Sequence, residues 1–170
     1  MRATVLIPLA FFVVSALHLP ETYSASNGKS KVESLKTLLA KFESTESLEK
    51  KENLLYLIEQ NYPEAGGDLL QIAKRTSDIN TKYKAIFELG QMKYSEATPF
   101  LIESLSDSQP QVRANAARAL GDTWKDGNEA WRNSYPNLSS ELISLLNREI
   151  DGGTIEQTSL ALSDLKAKEA

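Results

Sequence analysis

The dipeptide Leu-Gly occurs at Leu89-Gly90 and again 31 residues later at Leu120-Gly121. The same interval relates other similar residues: Ala85 to Ala116, Lys82 to Arg113, Ile58 to Leu89, and Leu38-Leu39 to Leu69-Leu70 and then to Phe100-Leu101. A period of this length is typical of stacked supersecondary units, none of which can bury its apolar side alone. This repeat constrains the fold more than any other feature of the chain.

The clearest unit, Thr98–Asp122, has the pattern of two helices. Thr98 is predicted to cap the first helix, with Pro99 at the first helical position, where its missing N–H costs nothing. The second helix has one apolar stripe, formed by Val112, Ala116, Ala119 and Leu120. Because glycine adopts the left-handed backbone conformation without steric cost, Gly90 and Gly121 are predicted to end the second helices of their units.

The segment TPFLIESLSDSQPQVRANAARALGD, Thr98–Asp122, resembles a HEAT repeat of the short kind found in phycobilisome lyases. The residues that match are Pro99, Leu101, Leu105, Asp107, Val112, Arg113, Ala116, Ala117, Leu120 and Gly121. Gly67–Gly90 is a weaker match, and Lys31–Asn61 matches only in spacing and leucine pattern. The resemblance implies that Asp107 and Arg113 tie neighbouring units together. Leu89, Gly90, Leu120 and Gly121 are interpreted as structural residues of the repeat.

We therefore predict an all-α fold, an α-α superhelix built as a HEAT-like solenoid of about four helical hairpins. The repeat domain is assigned to residues 31–170, with units at about 31–62, 67–92, 97–122 and 138–168 and an insertion at 123–137. The interval between the third and fourth units is longer than the repeat, and the insertion accounts for the excess.

The first 26 residues are predicted to be a signal peptide, followed by a flexible segment at residues 27–30. Arg2 precedes an apolar run from Ala3 to Leu17, and small and polar residues come after it, which is the layout of a secretory leader. The run is shorter than the roughly 20 apolar residues of a bilayer-spanning helix. We expect a secreted or periplasmic protein without membrane insertion after cleavage. An uncleaved membrane anchor is the alternative.

The composition argues against several classes of function. The chain has no Cys, its one His is His18 in the leader, and its formal net charge is -4. A mature chain without Cys or His excludes Ser-His-Asp and Cys-His catalysis and His/Cys zinc sites. A mildly acidic chain without a basic block is a poor binder of nucleic acid. We predict no enzymatic activity, no cofactor and no metal site.

Both tryptophans lie in the predicted insertion, which we expect to be a loop. Loops carry function more often than core helices, and Trp, Tyr and Arg are favoured at binding hot spots. We predict that the insertion binds a protein partner together with two residues on the concave face of the second helices. The predicted binding residues are Trp124, Trp131, Arg132, Tyr135, Arg118 and Asn115. Alternatively, the aromatic residues close the end of the stack.

These observations favour a non-catalytic protein–protein interaction module or scaffold that works outside the cytoplasm. The resemblance implies another function, that of an accessory subunit of an enzyme similar to the bilin lyases. Those lyases act in the cytoplasm, so the export signal disfavours this function, and a fold alone does not determine activity. A structural spacer without a partner is a third alternative.

Overall fold

The computed structural model describes residues 33–169, with the side chains of residues 33–166. The predicted signal peptide and flexible segment lie outside these residues. The described part of the chain forms these α-helices: α1 (Leu35–Ser44), α2 (Leu48–Asn61), α3 (Gly66–Arg75), α4 (Ile79–Gln91), α5 (Thr98–Ser104), α6 (Pro110–Asp126), α7 (Glu129–Asn133), α8 (Leu138–Arg148) and α9 (Gly152–Glu169). Short 3-10 helices at Pro63–Ala65 and Ser95–Ala97 lead into α3 and α5. No strand occurs between residues 33 and 169.

The helices pair into four hairpins, α1–α2, α3–α4, α5–α6 and α8–α9. The second helices of the hairpins pack on one another in chain order, α2 on α4, α4 on α6 and α6 on α9. The short helix α7 lies in the connection between the third and fourth hairpins. This arrangement confirms the predicted all-α, HEAT-like solenoid.

One apolar core runs through the stacked hairpins. Its largest fully buried side chains come from all four hairpins, although α1 contributes none of them: Leu55, Ile58, Leu69, Ile86, Leu89, Leu101, Leu105, Leu120, Leu138, Leu142, Leu145 and Leu165. Leu70 and Leu101, which occupy equivalent positions of successive units, are 9% and 0% exposed. Neighbouring hairpins therefore bury one another's apolar sides, as a solenoid requires.

The Leu-Gly pairs do not end their helices. Gly90 lies within α4 and Gly121 within α6, and no described glycine has a positive φ. A Cβ atom at Gly90 would lie 2.8 Å from Cα of Ala119, and one at Gly121 would lie 3.0 Å from Cα of Ala161. The prediction of a left-handed helix end at these glycines is therefore wrong. They are glycines because successive second helices touch there, backbone against backbone.

The predicted N-cap at Thr98 is also wrong. Thr98 is the first residue of α5, and no side chain caps this helix. The Thr98 hydroxyl instead donates a hydrogen bond of 2.6 Å to the carbonyl oxygen of Ser95, in the preceding 3-10 helix. The sequence pattern did not predict this 3-10 helix. Because it leads directly into α5, α5 begins without a side-chain cap. Pro99, predicted at the first helical position, is the second residue of α5 and still lies in its first turn, where a missing N–H costs nothing.

Candidate binding surface

Ion pairs join successive units at the turns inside the hairpins. The Lys82 ammonium of the second unit lies 2.6 Å from the Asp107 carboxylate of the third. The Arg113 guanidinium donates two hydrogen bonds, of 2.6 and 2.9 Å, to the Glu149 carboxylate of the fourth unit. It also donates to the carbonyl oxygens of Asp107 and Ser108, at 2.8 and 3.1 Å. Asp107 and Arg113 therefore each contact an adjacent unit.

These contacts change the acidity of the carboxyl groups. The hydrogen bonds from Arg113 lower the pKa of Glu149 to about 2, because they stabilise the charged form. Burial opposes the same change at Asp107, but the hydrogen bonds from Lys82 and from the Gln109 N–H, together with the charges of Lys82 and Arg113, outweigh it and lower the pKa of Asp107. Both carboxylates are ionised at neutral pH, and both pairs belong to the scaffold of the stack.

The second helices present a row of large side chains at equivalent positions, which we call the second-helix row. Its members are Tyr56, Phe87, Arg118 and Leu160. The first three are separated by the repeat interval. Leu160 precedes Ala161 as Arg118 precedes Ala119, and both alanines meet a glycine of the preceding second helix. Tyr56 and Leu160 are 52% and 53% exposed, so the row lies on the accessible surface of the stack.

Phe87 lies between two cations at the centre of this row. The Lys84 ammonium and the Arg118 guanidinium carbon each lie 4.7 Å from the centre of its ring. Arg118 is also 3.6 Å from the Asp122 carboxylate, one helical turn further along α6. The stacking holds both Phe87 and Arg118 in place through cation–π attraction. A partner would meet a preformed surface rather than two mobile side chains.

A cleft of about 330 Å³ opens beside the row, between α6 and α9. Its lining includes Arg118, Asp122, Lys125, Gln157, Leu160 and Asp164. The Lys125 ammonium lies 2.9 Å from the Asp164 carboxylate and 3.5 Å from that of Asp122. The hydrogen bond to Asp164 raises the pKa of Lys125. The cleft therefore combines an apolar wall at Leu160 with charges that are fixed by their partners.

Glu88 is a buried carboxylate between the first two second helices. Its residue is 1% exposed, and its nearest cation is the Lys84 ammonium at 3.2 Å. Burial raises the pKa of Glu88, and the charge of Glu59 on α2 acts in the same direction, whereas Lys84 opposes both. The oxygen that faces Lys84, Oε1, has this ion pair and accepts no further hydrogen bond in the described part of the chain. Glu88 is thus part of the interface between α2 and α4 and cannot contact a partner.

The insertion is largely helical, so the prediction of a loop is wrong for most of its length. Residues 123–126 extend α6, and α7 begins after two intervening residues. The rings of Trp124 and Trp131 meet edge to face at 5.7 Å, and those of Trp131 and Tyr135 lie 5.4 Å apart. A Cβ atom at Gly127 would overlap the Trp131 ring, so this glycine is needed for α7 to fold back on α6.

The predicted binding residues of the insertion occupy different environments. Trp124 is 6% exposed and belongs to the core, so its side chain is placed for packing, and its assignment to a partner surface is corrected. The indole N–H groups of Trp124 and Trp131 are buried without an acceptor in the described structure. Arg132 donates to the Trp124 carbonyl at 3.2 and 3.3 Å. Arg132 and Tyr135 remain partly exposed and line a surface cleft.

Of the two residues predicted on the concave face, Arg118 lies in the second-helix row. Asn115 lies one turn before it on α6, partly exposed, and its amide donates to the Gln111 carbonyl at 2.8 Å. The sequence interpretation missed Tyr56, Phe87 and Leu160. The repeat interval, applied backwards from Arg118, would have found the first two. The repeat interval does not lead from Arg118 to Leu160, because the insertion lengthens the spacing between the third and fourth units.

Acidic side chains do not converge into a metal site in the described part of the chain. Among the side chains of residues 33–166, no group of three or more His, Cys, Asp or Glu residues is placed to hold a metal ion. No helix in the described range is long and apolar enough to cross a membrane.

The comparison with curated proteins found no match. A family model described as HEAT repeats matches residues 68–163, which is more than half of the 170-residue chain. The match begins in α3 and ends within α9, so it includes the second-helix row from Phe87 onwards. The chain belongs to the HEAT-repeat family.

Proposed function

We propose that this protein is a non-catalytic scaffold that binds a partner protein along the second-helix row. HEAT repeats generally mediate protein–protein interaction, and solenoids offer extended surfaces made of equivalent positions. The observation that carries the proposal is the row itself. Four large side chains lie at one register position on the four second helices α2, α4, α6 and α9, and two of them are more than half exposed.

The spacing of the row suits an extended segment of polypeptide. Packed helices lie about 8–10 Å apart, and an extended chain in the polyproline II conformation advances about 9 Å per turn of three residues, which brings every third side chain to the same face. Every third side chain of a bound segment would therefore meet one member of the row. Aromatic residues and arginine are enriched at binding hot spots, and Phe87 and Arg118 are held ready by their mutual stacking.

The insertion is proposed as an extension of this surface. Arg132 and Tyr135 line a cleft together with Glu129, Asn133, Pro136 and Ser139. Trp124 and Trp131 support these residues from beneath, because Trp131 packs against both Trp124 and Tyr135. In this proposal the aromatic residues serve the stack and the surface together, with Arg132 and Tyr135 as the contacting residues.

We also propose that the scaffold works outside the cytoplasm, as a secreted or periplasmic protein. The support is the leader-like pattern of the first 26 residues. N-terminal sequencing of the protein recovered from its own host tests this part. We expect the N-terminal residue of the protein in the exported fraction to lie close to residue 27. A start at Met1 in the cytoplasmic fraction would contradict it.

Site-specific photo-crosslinking tests the binding surface. A benzophenone amino acid is placed at Tyr56, Phe87 or Leu160 in the full chain, in its host. The matched control is Ile143, which is 46% exposed but lies on the first helix α8. We expect one distinct crosslinked protein from the three positions of the row and none from Ile143.

The crosslinked species is then identified by mass spectrometry, and capture is repeated with Leu160→Glu. This variant adds a charge to a side chain that is already exposed, so the fold is expected to persist. Loss of the crosslink from Phe87 in this variant supports one continuous surface. Equal products from the row and from Ile143, or no product from any position, would reject the proposed surface.

A further inference from the structure

The first hairpin leaves open a set of positions that the later hairpins bury. Ala119 of α6 meets Gly90 of α4, so its register position faces the preceding second helix. One repeat interval earlier this position is Glu88, and two intervals earlier it is Leu57. Residues 33–169 contain no second helix before α2. Leu57 therefore stands where a preceding helix would pack.

The exposures of equivalent residues show the same contrast. Val112, Ala116 and Ala119 of α6 are at most 1% exposed, and Thr81, Ala85 and Glu88 of α4 at most 2%. The equivalent residues of α2 are Lys50, Leu54 and Leu57. Of these, Leu57 is 43% exposed, Leu54 is partly exposed and Lys50 is exposed. Two leucines thus occupy accessible positions that are core positions in the next two units.

A cleft of about 340 Å³ lies over these leucines, at the end of the stack formed by the first hairpin. We call this surface the α2 end face, and its lining residues are Lys41, Ser44, Thr45, Lys50, Asn53, Leu54 and Leu57. The charged groups in the lining are both ammonium groups, although Lys41 pairs with Glu33 at 2.6 Å. The face is therefore an apolar groove with a basic rim.

The opposite end of the stack differs. Ala161 of α9 is the equivalent of Ala119, because each meets the glycine of the preceding second helix. By the same register, Ser163 of α9 is the equivalent of Gly121, and Ser159 is the equivalent of Ala117. Both serines are exposed. A polar outer face is typical of a closing helix of a solenoid, and among the described residues α9 has such polar positions whereas α2 has leucines on its outer face.

We propose that the α2 end face binds an amphipathic helix of a partner protein whose apolar stripe is flanked by carboxylates. Leu54 and Leu57 would pack into the stripe, as alanines do between later second helices, and Lys50, whose ammonium group has no acidic partner among the described residues, would face the carboxylates. A second copy of this chain is disfavoured as the occupant, because two basic rims would face each other across a symmetric contact. The site is separate from the second-helix row and does not depend on the proposed function.

The test uses residues 27–170, because the described residues from 33 onwards form one compact unit around a single apolar core. The probe is a fluorescent peptide of about 18 residues, long enough to form a helix, with leucines three and four apart and glutamates on both flanks. Two control peptides have the glutamates replaced by lysines or the same residues in scrambled order. Binding is measured by fluorescence anisotropy at low and high salt.

We expect saturable binding of the glutamate peptide, weakened by salt and by about tenfold or more in Leu57→Glu. The matched variant Ile143→Glu changes an apolar side chain of similar exposure, 46% against 43% for Leu57, on helix α8 outside both surfaces, and is expected to bind as the unchanged chain does. Circular dichroism of both variants checks that the fold persists. Equal binding of the lysine or scrambled peptide, no binding, or no effect of Leu57→Glu would overturn the proposal. Sedimentation that shows a dimer, converted to monomer by Leu57→Glu, would overturn it in favour of a second copy.

Discussion

The second and third units share the Leu-Gly pair but differ in how far the helix continues beyond it. In the second unit α4 ends at Gln91, just after Gly90, and the chain turns at Lys93, which has a φ of 53°. In the third unit α6 continues past Gly121 to Asp126. The glycines themselves are equivalent, since each sits inside its helix and each touches an alanine of the next second helix.

The helix end is decided three residues after the glycine. Lys93 N–H donates to the Gly90 carbonyl at 3.0 Å, and Tyr94 N–H donates to the Leu89 carbonyl at 3.1 Å. These are the two hydrogen bonds of a Schellman motif, with Lys93 in the left-handed position. One repeat interval later this position is Trp124, which stays helical and is buried against Trp131. The comparison shows that Leu-Gly marks a close contact between helices. Burial of Trp124 extends α6 beyond the position at which α4 ends.

The largest effect is expected from equivalent leucines in the two units. Leu101→Ala should lower the free energy of unfolding by about 2–5 kcal/mol, because a fully buried side chain leaves a cavity. Leu70→Ala should cost somewhat less, since Leu70 retains slight exposure. Urea denaturation of both variants measures this, with Ile150→Ala as the control, because Ile150 is 94% exposed. A neutral result at both leucines would mean that the units are not stacked in this register.

The second prediction separates a glycine that caps from a glycine that packs. A left-handed cap tolerates Asn better than Ala, whereas a crowded helix interior tolerates the smaller residue better. We expect Gly90→Ala to destabilise by about 1–3 kcal/mol, as overpacking does, and Gly90→Asn to destabilise more. Thermal unfolding of both variants gives the order. Gly152→Ala is the control, because nothing lies within 4 Å of a Cβ atom there. The reverse order would restore the capping interpretation.

The two units also differ in how much of their structure could be predicted from the sequence. The repeat interval and the apolar stripes predicted the fold, because helix pairing depends on residues that are local and periodic. The role of Gly90 could not be predicted from the residues around it, since it depends on Ala119 in another helix. Trp124 lies in the segment that exceeds the repeat interval and was therefore predicted in a loop, although tertiary packing on Trp131 keeps it helical. The repeat interval relates Tyr56, Phe87 and Arg118 of the second-helix row, but it does not reach Leu160, because the insertion changes the spacing before the fourth unit.

The third prediction compares the ion pair that joins the second unit to the third with the one that joins the third unit to the fourth. Arg113 donates two hydrogen bonds to the Glu149 carboxylate and two more to backbone carbonyl groups. Lys82 donates a single hydrogen bond to the Asp107 carboxylate. Arg113→Ala should therefore cost about 1.5–3 kcal/mol, as the loss of charge-assisted hydrogen bonds does. Lys82→Ala should cost less than about 1 kcal/mol, because a single partly exposed pair contributes little. Chemical denaturation at neutral pH checks the order of the two variants.

Acid adds a second measurement to the same pair. The folded pKa of Glu149, about 2, lies below the ordinary glutamate value of 4.5. Its contribution to stability is therefore present above the ordinary value and is lost as the pH falls through the folded one. The unchanged chain should lose more stability than Arg113→Ala between pH 5 and pH 2, because the variant has already lost the interaction that lowers the pKa. Parallel losses in the two proteins would show that Glu149 is not held by Arg113.

The smallest effect is expected at Lys93, where the second unit turns. An L-residue in the left-handed conformation is strained by about 1–2 kcal/mol, and glycine is not. Lys93 also pairs with Asp126 at the end of α6, so its replacement removes an exposed ion pair. Lys93→Gly and Lys93→Ala both lose this pair, but only glycine relieves the backbone. The glycine variant should therefore be more stable than the alanine variant by about 1 kcal/mol in thermal unfolding. Equal stability would mean that α4 does not end in the left-handed turn, and the contrast with α6 would then need another cause.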